Sequence, residues 1–554
     1  MNDQPALNGR AGINGRCTLN ARERPVGRTR SSRQADLIVR GRILTLDPFR
    51  PLAEALAVRA GRIVAIGAVD DVRDVHGPTT RLVDAGDGCV LPGFVEAHGH
   101  FVNDALERTG ALVGLRPVRL PEAGRAVEAI RRAVAERGAE GACLYGWDAR
   151  LRERLPVPTL AWLDELAPDA PLIILYDSGH SAYFNSATMR RAGLSRDAPD
   201  PAGGHFGRTP DGHLDGTAYE PAAVARVTAH LTGSVTLPLF AEALAAQGSR
   251  VNAAGITTIS EMSFNPAHRP RLTEARGMGA LTARLRLYEI AGPSLGSGVA
   301  PGMGDDLLRQ IGVKLWVDGS AWGDDTAATR PNHTHDELDE IFQAYHDAGW
   351  QLACHADGDS AIGLVLNVWE ELLDGRAPAI GPPRLRMEHV GSMRPDQFDL
   401  AHALGVSCSL SPDHPNYWSE VLSDDLFGAD AGERWTPEGS ALRSGMRVSL
   451  HGESPAAPVE PLRAMAVAAD RLARHRGLTG RDARIGVAQA LQAQTIDAAW
   501  QLHADGVTGS LEPGKYADLV ILSADPHDVP PAEIADLTVR ATFLAGRQVH
   551  GEAF

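Results

Sequence analysis

The chain has 554 residues, 44% of them hydrophobic, and a net charge of −16 at pH 7. That length exceeds one simple core and implies a large domain with additions. No apolar run approaches the ~20 residues of a membrane span, and the acidic balance excludes the basic face a nucleic-acid partner requires.

Residues 1–34 carry Arg10, Arg16, Arg22, Arg24, Arg28, Arg30 and Arg33 among Asn, Gly, Ser and Thr. No apolar stretch follows them, so they are not a secretory signal and read as a flexible basic arm or as translation from an upstream start. From Ala35 the texture becomes strand-like, with Asp36–Leu46, Ala55–Ile66 and Thr80–Asp84 separated by Gly-containing turns. Gly509–Leu522 and Val539–Gly546 match that texture at the other end. Residues 35–88 and 505–554 are therefore expected to build one small β domain from both termini.

The interior alternates short apolar runs with helical stretches. The first run is Leu91-Pro-Gly-Phe-Val-Glu-Ala-His-Gly-His100. Seven more follow at Gly255–Glu261, Ala283–Ile290, Gly312–Asp318, Trp350–His355, Arg384–His389, Gly405–Leu410 and Arg447–His451. Helical patterns over Asp336–Ala348 and Ser360–Leu373 separate later runs. Eight strands alternating with helices predict a parallel (β/α)8 TIM barrel over 89–504. The gap after the first strand is too long for one crossover and implies an insertion over about 102–250.

Chemistry on such a barrel sits at the C-terminal strand ends. His98 and His100 share one face of the first strand, because side chains alternate with period two. Lys314, His355, His389 and Glu453 fall at or just beyond the ends of strands 4, 5, 6 and 8. Each alone has an ordinary explanation: a snorkelling lysine, a satisfied core histidine, a solvated loop acid. Lys314, however, lies inside an apolar run, where an ammonium is costly, and the set together exceeds chance.

The constellation resembles the amidohydrolase superfamily, in the branch containing N-substituted formamide deformylase. The resemblance rests on the first run together with Gly179–Ser186, Val313–Ser320, His355–Ala361, Met387-Glu-His389, Leu450–Pro455 and Gly509–Asp518. It implies a metal-bearing barrel with a small β-sandwich domain from both termini. It also implies that His98 and His100 hold one divalent metal and that His355 and His389 hold a second. Lys314 matches the lysine that such enzymes carboxylate with CO2, giving an anionic carbamate that bridges both ions. Two metals ~3.5–4 Å apart then share one acidified hydroxide. Zinc suits these ligands, with manganese, cobalt or iron as substitutes. Relatives commonly have Ser-Asp after strand 8, where this chain has Gly452-Glu453. Glu453 is expected to be the proton carrier, with the extra methylene placing its carboxylate further forward unless Gly452 lets the backbone retreat.

The expected activity is hydrolysis of a C–N bond, in an amide or N-substituted formamide of a small organic substrate. Trp147, His180, Tyr183 and Asn185 in the insertion, and Trp316, Trp322, Asp413, His414 and Trp418 near strands 4 and 7, are candidates to cover that substrate. Alternatives are an ester or lactone hydrolase or a decarboxylase on the same metals, and a catalytically silent metal-binding regulatory protein. No nucleic-acid or membrane partner is expected, and a homodimer is compatible with the chain. Cys17, Cys89, Cys143, Cys354 and Cys408 lack Cys-x-x-Cys spacing and are odd in number, which points to a cytoplasmic setting.

Overall fold

The computed structural model describes residues 34–552 apart from 110–111, 117–119, 121, 150–154, 177–178, 202, 229–234, 292–297, 320–329, 375–382, 427, 430–433, 455–456, 474–476, 479 and 481–482. The basic arm, Cys17 and Trp322 therefore lie outside the described residues.

Eight parallel strands form the central sheet in sequence order. They are β1 (Phe94–Glu96), β2 (Ile256–Phe264), β3 (Arg284–Ile290), β4 (Leu308–Trp316), β5 (Gln351–Ala356), β6 (Arg386–His389), β7 (Ser407–Leu410) and β8 (Val448–Leu450). All eight coincide with the apolar runs of the sequence. The strands alternate outward apolar with inward polar side chains. Along β6, Met387, with Leu385 just before the strand, joins the outer apolar layer with Phe342 and Trp369, while Arg386 and Glu388 are buried and bonded to each other. The helices His335–Asp347 and Asp359–Leu373 cover β4 to β6. Each large apolar side chain so buried contributes about 1.5–3 kcal/mol.

The barrel is nearly closed: among the described residues β8 and β1 do not pair with each other. The seam is stitched by other groups. Gln494 exchanges hydrogen bonds with Val95 through its backbone oxygen and its amide, each at 2.9 Å. At the mouth, Glu96 accepts the Gly452 N–H at 3.1 Å, and the His100 N–H donates to Ser454 O at 2.8 Å. The two strand ends that carry His98, His100 and Glu453 are thus fixed to each other.

Both termini contribute to one mixed seven-stranded sheet, in which Leu37–Leu44 pairs parallel with Arg81–Pro92 and the latter antiparallel with Leu519–Leu522. The sheet curls until its Arg62–Gly67 edge meets 514–516, with Ile63 N–H donating to Lys515 O at 2.9 Å. A sandwich of two separate sheets is not shown by this pairing. Between β1 and β2, strands from Val113–Gly114 to Leu214–Tyr219 form a further six-stranded sheet. Its end carries His180 against the barrel mouth. No helix among the described residues is long and apolar enough to cross a membrane.

Candidate metal centre

The histidines gather over the β1, β5, β6 and β8 ends. His98 has ring centroids 5.6 Å from His100, 4.8 Å from His389 and 4.7 Å from His451. His355 lies 4.8 Å from His389 on the other side. Burial, with Lys314 next in effect, pushes His98 well below the usual imidazole range. Burial does the same for His355 and His389, so the rings are held in the neutral, ligand-competent form.

His98 is oriented from behind. Its Nδ1 lies 2.7 Å from Glu388 Oε2. Arg386 grips the same carboxylate through Nε at 2.5 Å and Nη2 at 2.9 Å. A carboxylate accepts only, so Nδ1 carries the proton and Nε2 faces the mouth as a lone pair. His100 is held by Ser263, with Nδ1 2.8 Å from Oγ.

Glu453 sits at the middle of the group. Its Oε1 is 3.9 Å from His98 Nε2 and 3.7 Å from His389 Nε2, and its Oε2 is 3.2 Å from His414 Nε2. Burial pushes this carboxyl up, but the His414 hydrogen bond and the electrostatic influence of the His414, His451 and His100 rings outweigh it, leaving it at about 2. Its backbone is left-handed, with φ 59°, and His389 at the end of β6 has φ 70°. At His389 this breaks the strand alternation, so that Glu388 and His389, although adjacent, both serve the interior. Gly452 donates its N–H to Glu96, and a Cβ there would lie 3.0 Å from Pro458 O.

Lys314 is buried below the histidines, and burial lowers its ammonium to about 8. Its Nζ has no hydrogen-bond partner, and neither do His355 Nε2, His389 Nδ1 or His451 Nε2. Unpartnered buried imidazole lone pairs gathered in one place are what a divalent cation satisfies. Among the described residues, three groups have donor atoms within 4.8 Å of one another: His98, His100 and Glu453; His389, His414 and Glu453; His98, His389 and His451. The residues present therefore fit divalent metal, by donor type as well as spacing. His355 Nε2 instead faces two carboxylates, Asp318 at 3.6 Å and Asp357 at 3.8 Å. Asp318 accepts the backbone N–H groups of Asp357 at 3.0 Å and Gly358 at 2.7 Å, which shapes the turn after β5.

The other sequence candidates separate. The insertion brings His180 to the mouth, its ring 5.1 Å from His355 and 6.1 Å from the half-buried Trp316, with Nδ1 3.1 Å from Glu220. His414 touches Glu453 and packs on Trp418 at 5.7 Å. Asp413 is turned away into an ion pair with Arg463, 3.0 Å at Nη2. Three candidates do not reach the site. Trp147 is fully buried in the insertion core with Tyr183. Asn185 caps the helix Ser186–Arg191 and donates to Ala167 O and Ala170 O at 2.6 and 2.8 Å, so no polar atom of its amide is left for a ligand. Glu388, Arg386, Asp318 and Glu96 are site-shaping residues that the sequence reading did not assign. Glu96, Asp318 and Glu388 lie inside the Leu91–His100, Val313–Ser320 and Met387–His389 motifs, which were the available signal.

The chain is similar to Protein LONG AFTER FAR-RED 3 of Arabidopsis thaliana, 27% identical across 93% of this chain and 92% of that protein. It is 26% identical to the N-substituted formamide deformylase of Arthrobacter pascens, across 92% of this chain and 97% of that one. Its fold matches the crystal structure of an uncharacterized metal-dependent hydrolase from Pyrococcus horikoshii with a TM-score of 0.69, 20% identity and coverage of 89% and 99%. The Amidohydrolase family model matches residues 81–550, from the strand before the His-x-His end to the last strand of the terminal sheet. With its cluster of imidazoles and carboxylates at the mouth of a parallel barrel, this chain belongs to the amidohydrolase family of metal-dependent hydrolases.

Proposed function

We propose that this hydrolase cleaves a non-peptide C–N bond, in an amide or N-substituted formamide of a small organic molecule. The observation that carries the reading is Glu453, an ionised carboxylate set between His98, His389 and His414 at the barrel mouth. In this reading His98, His100, Lys314, His355 and His389 hold two divalent ions, zinc suiting the donors best. Lys314 enters as a carbamate: its neutral amine adds to CO2 and loses a proton, replacing a repelling ammonium by an anionic oxygen ligand. Its burial, which lowers the ammonium to about 8, favours that amine. Metal bound there supplies Lewis acidity toward a carbonyl and acidifies water.

The chain's own groups do the rest. Glu453 takes a proton on its carboxylate and hands it to the departing nitrogen, work for which a carboxylate held below its usual range beside His414 begins in the correct, ionised state. His414 holds Oε2 so that Oε1 faces the reacting region. His180, fixed by Glu220, and Trp316 line the approach and orient the substrate. The similarity to a formamide deformylase over nearly the whole chain supports the bond type. Four buried, unpaired thiols, Cys89, Cys143, Cys354 and Cys408, support a cytoplasmic enzyme.

A panel of N-formyl amines, aryl amides, aryl esters and lactones tests this directly, by following amine, formate or alcohol release with zinc-loaded protein. Release of amine from amides or formamides is expected. Turnover confined to esters or lactones would overturn the bond assignment, and metal-loaded protein inert on all four classes would favour a binding role.

A further inference from the structure

His451 closes β8 with no exposed surface, and its Nε2 has no hydrogen-bond partner. A buried imidazole nitrogen in that position is costly unless something binds it. Which form the nitrogen takes follows from a chain of hydrogen bonds beneath it. Gln501 Nε2 donates to Cys408 O at 2.8 Å, which turns the amide oxygen toward Ser449 Oγ, 2.6 Å away. An amide oxygen only accepts, so the single Ser449 hydroxyl hydrogen goes to Gln501. The 2.9 Å contact between Ser449 and Ser409 must then be donated by Ser409. Ser409 Oγ, with its hydrogen committed, can only accept from His451 Nδ1, 2.8 Å away. Nδ1 therefore carries the proton, and Nε2 is a bare lone pair.

That lone pair has company. His98 reaches the same tautomer by an independent route, through Glu388 and Arg386. The ligand atoms of His98, His389 and His451 lie within 4.8 Å of one another, and all three side chains are buried. Among the described residues, these form the one metal-competent group made wholly of histidines.

We propose that His451 Nε2 is a metal ligand, joining His98, whose ring lies 4.7 Å away, at the first of the two ion positions, a role that the resemblance to known amidohydrolases does not assign. The inference rests on the reading that this chain binds divalent metal, and it adds a ligand from β8 to the strand ends already named. An added imidazole ligand favours zinc or cobalt over magnesium or manganese, which prefer oxygen donors. Ser409 is the positioning residue: it holds the tautomer that exposes Nε2 and touches no metal itself.

The test compares zinc affinity of the full chain with His451→Ala and Ser409→Ala, by competition with a chromophoric chelator. Visible spectra of the cobalt-loaded forms are read alongside. Ser409→Ala should weaken zinc binding by about 10–100-fold, the usual loss for an outer partner of a histidine ligand. His451→Ala should weaken it further and reduce the intensity or shift the position of the cobalt bands. Affinity within threefold of wild type and an unchanged cobalt spectrum in His451→Ala would overturn the proposal. Should circular dichroism show His451→Ala unfolded, Ser409→Ala decides, since it keeps the imidazole, and unchanged affinity there overturns the proposal equally. A wild type that takes up no zinc would sink the metal reading itself, whereas a zinc-binding wild type with unaffected variants sinks only the role of His451.

Discussion

Replacing Glu388 by Gln removes one charge and almost no volume from the middle of the barrel. The carboxylate accepts from Arg386 Nε at 2.5 Å and Nη2 at 2.9 Å and from His98 Nδ1 at 2.7 Å. Both Arg386 and Glu388 side chains are 0% exposed, so water cannot take the place of the lost charge. Arg386 would keep Tyr288 Oη and Ala97 O, each at 3.2 Å. Leaving one member of a buried ion pair uncompensated costs about 3–5 kcal/mol. The glutamine oxygen still accepts one bond, so a loss near ~3 kcal/mol is expected in the metal-free protein. His98 meanwhile loses the partner that fixes its tautomer, and zinc affinity should fall by about 10–100-fold. Urea unfolding in chelator reads the first effect, and zinc competition reads the second. Metal-free stability within the ~0.5 kcal/mol typical of a surface change, with affinity unaltered, would refute the reasoning.

Three further variants probe separate parts of the account. Lys314→Ala should lose metal and activity together, with short carboxylates such as acetate or propionate restoring part of both. Retention of wild-type metal content would show that Lys314 is no ligand. Glu453→Gln should keep its metal while turnover on a responsive amide drops by ~10²–10⁴-fold, and near wild-type turnover would remove Glu453 from proton transfer. Away from the site, burial raises Glu438 to about 7 despite its 2.8 Å pairing with Arg471. The folded state thus holds a proton that the unfolded chain releases near ~4.3. This stabilising contribution is complete below that value and is lost as pH rises through about 7. Unfolding free energy should therefore fall less from pH 5 to pH 8 in Glu438→Gln than in wild type, and parallel curves would contradict the shift.

The strands were legible because barrel strands are covered on their outer face and capped by polar residues, which leaves apolar runs with sharp polar ends. His98, His355 and His389 announce themselves at such ends. What holds them does not. Glu388 meets His98 from 290 residues away, and Asp318 meets the turn after β5 from 39 away. Pairings set by barrel closure leave no local period to read. Trp147 and Asn185 show the opposite error: their residue types suit ligand contact, but a tryptophan facing an insertion core and an asparagine capping a helix have the same local sequence as ones lining a mouth. The left-handed backbone at His389 and Glu453 was equally hidden, since neither residue is glycine and the conformation is imposed by what surrounds it.

The central claim, that this barrel mouth is a two-metal hydrolytic centre, is tested most directly by counting ions. Full-length protein reconstituted with zinc and bicarbonate, freed of loose metal and analysed by elemental mass spectrometry, should carry about two divalent ions per chain. A value of one or fewer in fully loaded protein would contradict it.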